Sequence, residues 1–292
     1  MTNAALATFE TSLVDPELII AFSAIAGPGM KIKATIKGCG GGGGGGGGGG
    51  EGGGGGGGGA GASVKTVSLE LAVADQNVPW QYMLKVGKGG EGRGMTDTLP
   101  PGQNGQTGGD GEPSKLLKRP ITGGEWEEVE TFSGGAGGKG GMDLLFPRNR
   151  RTGGSGGEGV DGGASGGWGG ELIGPGDYRV QAHGSAGSSN DVASGGNGGK
   201  SKPYTGVPQE GAGGGSGGGG GAGMGAGGDG AGIRAGGDGA GSTSAPTPGV
   251  NGGGGGGGHG WGGRVENDRG ADGGNGKLIL EVVEIVLDKA DV

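Results

Sequence analysis

The chain has 292 residues, 95 of them glycine, and a formal net charge of −8 from 22 basic and 30 acidic side chains. Glycine at about one residue in three is the collagen fraction, but 13 prolines and no sustained Gly-X-Y register exclude a triple helix. Leu, Ile, Val and Phe together number only 46, too few for a conventional core through the whole chain; the charge forms no basic stripe for nucleic acid, and no apolar run is long enough to span a membrane.

Residues 1–29 have ordinary composition and are expected to form a separate N-terminal docking segment. Within it, 8–14 and 18–26 fit either strands or a short helix, with Asp15-Pro16 as the turn between them. The stretch 17–26 is too short to cross a membrane and lacks the basic flank of a signal peptide. From residue 30 to 292 the chain is expected to be one glycine-rich domain. It opens on a half-buried strand with Ile32, Ala34 and Ile36 on one face. Cys39, the single cysteine, excludes an internal disulfide framework; it is either a small buried residue at a strand end or an intermolecular thiol.

Then comes an almost unbroken glycine run, 40–50 and 52–59, interrupted by Glu51. A second strand follows, with Val67, Leu69, Leu71 and Val73 alternating with polar residues, and a third places Tyr82, Leu84 and Val86 on one face. A weaker one is expected at 178–182. The last, 277–287, is the most apolar stretch of the chain and is expected to be a central strand of the same small sheet. The expected fold is therefore mostly irregular and β, an antiparallel sheet clamp closed from both termini.

Glycine tracts lie between these strands at 134–141, 153–170, 195–199, 211–241 and 252–263, separated by insertions at 95–133, 142–152, 171–190, 200–210, 242–251 and 264–272. The heptapeptide beginning at Ala226 returns nine positions later at Ala235, and nine is three turns of a three-residue helix. Such a helix makes no internal hydrogen bonds, so its backbone groups are free to bond neighbouring helices, and only glycine lets backbones approach closely enough. Ordering costs about 1–2 kcal/mol per residue, so one such helix alone is not stable, whereas a bundle of them is. A bundle of polyglycine-II helices with long loops is expected, with Gly40, Gly50, Gly59, Gly228, Gly237 and Gly257 among its scaffold positions.

Several motifs carry no chemistry. G-x-G-x-x-G is inevitable in this composition. The near P-loop at 194–201 begins on Ser194 and lacks a preceding apolar strand. The calcium-roll pattern around Asp229 has Gly232 at its essential acidic position. His183 and His259 are isolated, so no zinc ligand set exists, and no nucleophile-elbow context supports a hydrolase triad. No catalytic residue, metal or cofactor is expected. The aromatic residues Trp126, Trp168, Tyr178, Tyr204 and Trp261, with Arg150 in a basic loop at 148–151 and a second charged loop at 115–119, are candidates for binding a receptor or a neighbouring subunit, because exposed aromatics and arginine dominate recognition surfaces.

The segments Ile32-Lys-Ala-Thr-Ile-Lys-Gly-Cys-Gly-Gly41, Tyr82-Met-Leu-Lys-Val-Gly-Lys-Gly-Gly90 and Gly273-Gly-Asn-Gly-Lys-Leu-Ile-Leu280, in that order about the glycine tracts, resemble the glycine-rich domain of bacteriophage tail fibres and minor tail proteins. The arrangement is also similar to distal tail-fibre adhesins of T-even-type phages. The resemblance covers about residues 30–287. It implies a non-catalytic virion protein on the phage tail or capsid surface, with loops on a polyglycine scaffold. Its implied partners are other virion subunits and a bacterial outer-membrane protein or glycan, and it would be a trimer if a fibre. A capsid decoration or head-fibre protein is the close variant; an ice-binding or cell-wall glycine-rich protein is the alternative class.

Overall fold

In the computed structural model the described residues are 5–11, 16–27, 29–49, 56–75, 78–94, 105–144, 150–170, 172–173, 185–189, 197–199, 218–230, 245–258 and 269–287. The strands are β1 (Ala7–Glu10), β2 (Glu17–Ala21), β3 (Met30–Cys39), β4 (Lys65–Ala72), β5 (Ala74–Asp75), β6 (Val78–Lys85), β7 (Ser114–Pro120), β8 (Glu127–Phe132), β9 (Met142–Leu144), β10 (Arg150–Thr152), β11 (Leu172–Ile173) and β12 (Lys277–Leu287). The only helical turn among the described residues is a 3-10 turn at Phe22–Ala24.

Two antiparallel sheets, ordered β1-β12-β3-β4 and β2-β6-β7-β8 with β5 beside β6, face each other across one core. The alternation legible in the sequence sets the inward faces. Ile32 and Ile36 of β3 are fully buried opposite Leu71 and Val67 of β4, while Leu278, Leu280 and Val282 line the same core from β12. The second sheet contributes Ile20, Tyr82, Leu84, Leu116 and Phe132. β12 lies between β1 and β3, so the final strand is central, as expected, and strands from both ends of the chain close the first sheet.

The structure corrects the expectation of one small sheet. Two exist because 114–120 and 127–132, assigned from sequence to a charged insertion, are strands β7 and β8. Their alternation is hidden by an extra residue of β8, Val129, between the partners of Leu116 and Leu117, and by charges that pair across the strands. Lys115 Nζ lies 2.6 Å from Glu128 and Lys118 Nζ 3.4 Å from Glu127. The insertion 142–152 likewise contains β9 and β10, which form a small sheet with β11. The strand expected at 178–182 lies outside the described residues.

Residues 1–29 supply an edge strand to each large sheet. β1 pairs with β12, β2 pairs with β6, and Phe22 is buried against Phe9 and Tyr82 at ring-centroid distances of 6.1 and 5.4 Å. The Tyr82 hydroxyl donates to the Ala72 carbonyl at 2.7 Å.

Beyond Cys39 the backbone continues from β3 into glycine with no regular secondary structure but with a regular bonding pattern. The N–H groups of Gly41, Gly44 and Gly47 donate to Glu112, Gly109 and Gln106; those of Gly42 and Gly45 donate to Gly274 and Ala271; those of Gly43 and Gly46 donate to Ala60 and Gly57. Their distances are 2.8–2.9 Å. Carbonyls of the same run accept from Gly135, Gly138 and Gly141, from Gly90 and Arg93, and from Gly255 and Gly258. Every third residue thus returns to the same partner segment. Donors go to three antiparallel neighbours and acceptors serve three parallel ones. The return run 56–61 is bonded the same way, to segments around Gly255, Ala136, Gly167, Gly43, Gly221 and Gly157.

Glycine is required here for close approach rather than for unusual dihedrals. None of Gly40–Gly47 or Gly56–Gly59 has a φ in the left-handed region, but a Cβ on Gly43 would fall on the Ala136 carbonyl, and one on Gly44 on the Glu91 carbonyl. Enclosed runs such as 40–47 and 252–258 are pure glycine and buried. Tracts at the periphery carry a side chain at every third position: Ser133, Ala136 and Lys139; Ser165 and Trp168; Arg269, Asp272 and Asn275. Two of these side chains, and Asp110 of another tract, accept from backbone N–H groups of adjoining tracts. Asn275 Oδ1 accepts from Gly89 N–H at 3.0 Å, Asp272 Oδ1 from Gly92 N–H at 2.7 Å, and Asp110 Oδ1 from Gly137 N–H at 2.8 Å.

Candidate functional site

The glycine body has two distinct ends. At the near end it is welded to the sandwich: Gly40 N–H donates to Ser133, Gly41 to Glu112 and Gly276 to Gly87, while the Ser114 hydroxyl bridges the Cys39 carbonyl and the Gly87 N–H at 2.8 and 2.9 Å. At the far end Gly47 N–H donates to Gln106 and Gln106 N–H to Gly94, Gly105 donates to Gly141, Gly258 to Gly46 and Gly270 to Arg93. The described residues that flank 50–55, 95–104 and 259–268 all stand at this far end. Gly141 leads directly into β9 there.

This geometry sorts the candidate binding residues. Arg150 lies in β10, paired with Leu144 and Ile173, at the far end. Trp168 belongs to the same end: Gly169 N–H donates to Gly154, two residues beyond β10, and the Trp168 side chain is 61% exposed. The Trp168 backbone is fixed on both sides by Ser185, whose hydroxyl accepts from its N–H at 2.7 Å and whose N–H donates to its carbonyl at 2.7 Å. An exposed indole on a bonded backbone contributes contact area at little ordering cost.

Trp126 stands elsewhere, before β8 on the sandwich. The Arg119 guanidinium lies 4.3 Å from its ring centroid, and the Gln81 side-chain oxygen accepts from Arg119 Nε at 2.7 Å. Lys118 lies 4.7 Å over the Trp80 ring. The charged loop expected at 115–119 is therefore a strand whose cations are held by Glu127, Glu128 and two indoles, which leaves little free charge for an acidic partner. Tyr178, Tyr204, Trp261, Gly50 and Gly237 lie outside the described residues. Gly40, Gly59, Gly228 and Gly257 are buried, and each donates its N–H to a neighbouring segment, to Ser133, Gly255, Gly254 and Gly218.

Among the described residues no group of three or more His, Cys, Asp or Glu side chains is placed to hold a metal ion, and no helix is long and apolar enough to cross a membrane. Asp229, in the calcium-like repeat, bonds the neighbouring tract through its backbone: its N–H donates to the Thr247 hydroxyl at 2.7 Å and its carbonyl accepts from Thr247 N–H at 2.9 Å.

Cys39 is fully buried with Ala62 and Val64 where β3 becomes glycine, and its Sγ donates to the Asn251 carbonyl at 3.4 Å. Burial raises its thiol pKa above the ordinary value, so the reactive thiolate is scarce in the native protein. The native chain is expected to resist iodoacetamide at pH 8 and the denatured chain to react fully, read by mass spectrometry. Because the folded pKa lies above the unfolded one, the contribution of Cys39 to stability is complete below its unfolded pKa and is lost as pH rises towards the folded one.

No protein-family model matches the chain, and no curated protein matches it.

Proposed function

We propose that the protein is a non-catalytic structural component of a bacteriophage virion, at the tail fibre or tail tip, and that its glycine tracts form a bundle of polyglycine-II helices. The observation that carries the bundle is the step of three in the tract bonds, and the virion role rests on the resemblance of the strand and glycine segments to phage tail fibres. A helix with three residues per turn presents successive N–H groups in three directions, which is the symmetry of a run bonded to six neighbours. Such a bundle is a rigid platform. Its near end joins a sandwich suited to attachment, and its far end carries Arg150, Trp168 and the flanks of the variable insertions, suited to contact with a bacterial outer-membrane protein or glycan.

Antibody to the purified protein is expected to label the tail tip of virions in electron micrographs. Label on the capsid would favour the decoration-protein variant, and virions without label would overturn both. Purified protein should bind host cells and compete with infection. Trp168→Ala should weaken cell binding by about tenfold, the scale of an aromatic anchor, with an unchanged melting temperature. Unaltered binding by that variant would remove Trp168 from the receptor-facing surface.

A further inference from the structure

The strongest feature left unused is the stretch of β12 beyond its pairing with β1. Along one side this strand pairs with β3 throughout, to Leu287 opposite Met30. Along the other, β1 covers it only from Ile279 to Val282, with Leu6 N–H donating to the Val282 carbonyl. Among the described residues no strand lies beside 283–287 on that side.

Those residues are Val-Glu-Ile-Val-Leu, without proline or lysine, which are the usual means of blunting an edge. Val283 is 39% exposed, Leu287 72% and the adjacent Leu6 63%. The opposite edge of the same sheet is managed differently, since Lys65 of β4 reaches across to Glu130 of β8 at 2.6 Å.

We infer that residues 283–287 form an interface at which two copies of this chain pair antiparallel, edge to edge, making one continuous sheet. The register argues for a second copy. The ladder shifts at Val283; beyond it Glu284 and Val286 stand opposite Lys33 and Lys31 on the outer face, while Ile285 and Leu287 stand opposite Ile32 and Met30 on the core face. A twofold axis at Ile285 keeps every residue on its own face. It sets Ile285 against Ile285 of the second copy, Glu284 against Val286 twice, and Leu287 beside the bulged Val283. The exposed apolar side chains are covered and no like charges meet. The next face-preserving register, centred on Val286, would oppose Glu284 to Asp288 twice. This inference stands apart from the proposed function; a twofold pair would also give even-numbered assemblies rather than a simple trimer.

Sedimentation velocity of the full chain should show a concentration-dependent dimer. Val286→Glu, which opposes glutamates twice, should weaken it by about tenfold, and adding Glu284→Lys should restore it. Mixing Glu284→Cys chains with Val286→Cys chains under oxidation should give a covalent dimer that neither forms alone, since Cys39 is buried. A wild-type chain that stays monomeric at all concentrations overturns the inference. So does a chain that dimerises only after residues 1–4 are removed, because its own N-terminus would then be the occupant, and so does a dimer indifferent to Val286→Glu.

Discussion

Gly43→Ala is expected to destabilise the protein by about 3–5 kcal/mol, out of proportion to the one methyl group added. Gly43 sits in an enclosed run. Its N–H donates to Ala60 at 2.9 Å and its carbonyl accepts from Gly255 at 2.9 Å, so the backbone is held from two sides. The new Cβ would coincide with the Ala136 carbonyl, which itself accepts from Ala60 N–H at 2.8 Å. Relief requires separating backbones whose mutual bonds are the cohesion of this part of the molecule, leaving buried donors and acceptors unpaired. Gly27→Ala is the control. A Cβ there meets nothing within 4 Å and the residue has no left-handed φ, so its change should stay within about 0.5 kcal/mol. Denaturant unfolding of the two variants separates close approach from a generic glycine effect. Ala60, fully buried in the return run, shows that a methyl is housed where neighbours leave room, so the penalty belongs to the position rather than to the residue type.

The second large effect is expected at Phe22→Ala, about 3–5 kcal/mol. Phe22 is fully buried between the sheets, packed on Phe9 of one and Tyr82 of the other. Truncation leaves a cavity in the only sizeable apolar core among the described residues. The result also bears on residues 1–29. If this stretch served solely as a separable docking arm, Phe22→Ala would leave the melting temperature of the rest unchanged. With β1 and β2 as edge strands, the whole sandwich should lose stability together.

The strands that carry clean alternation were legible in the sequence. Ile32, Ala34 and Ile36, Tyr82 and Leu84, and Leu278 to Val282 each show one buried face at a period of two, and the structure buries those faces. β7 and β8 were not legible, because Lys-Leu-Leu-Lys-Arg and Glu-Glu-Val-Glu carry their pairing as cross-strand charge, and the extra Val129 breaks the period of β8. Depth within the glycine body was written in the sequence in a different code. Pure glycine runs are enclosed, whereas Gly-Gly-X triplets such as 133–141 and 165–170 put each X on an outward face. That phase places Trp168 at the surface and could have been read from its spacing to Ser165. What no periodicity encodes is which tracts adjoin. The same triplet suits any neighbour, so the far-end grouping of Arg150 with Trp168 and its separation from Trp126 emerge only from the bonds between tracts.

Amide hydrogen exchange over 40–47 and 56–61 tests the central claim most directly. If the tracts are an ordered, mutually bonded bundle, these glycine amides should exchange as slowly as those of β3, which they continue, because opening them requires the bundle to separate. Exchange of both runs within seconds, at the rate of an unstructured glycine chain and beside a protected β3, would contradict it.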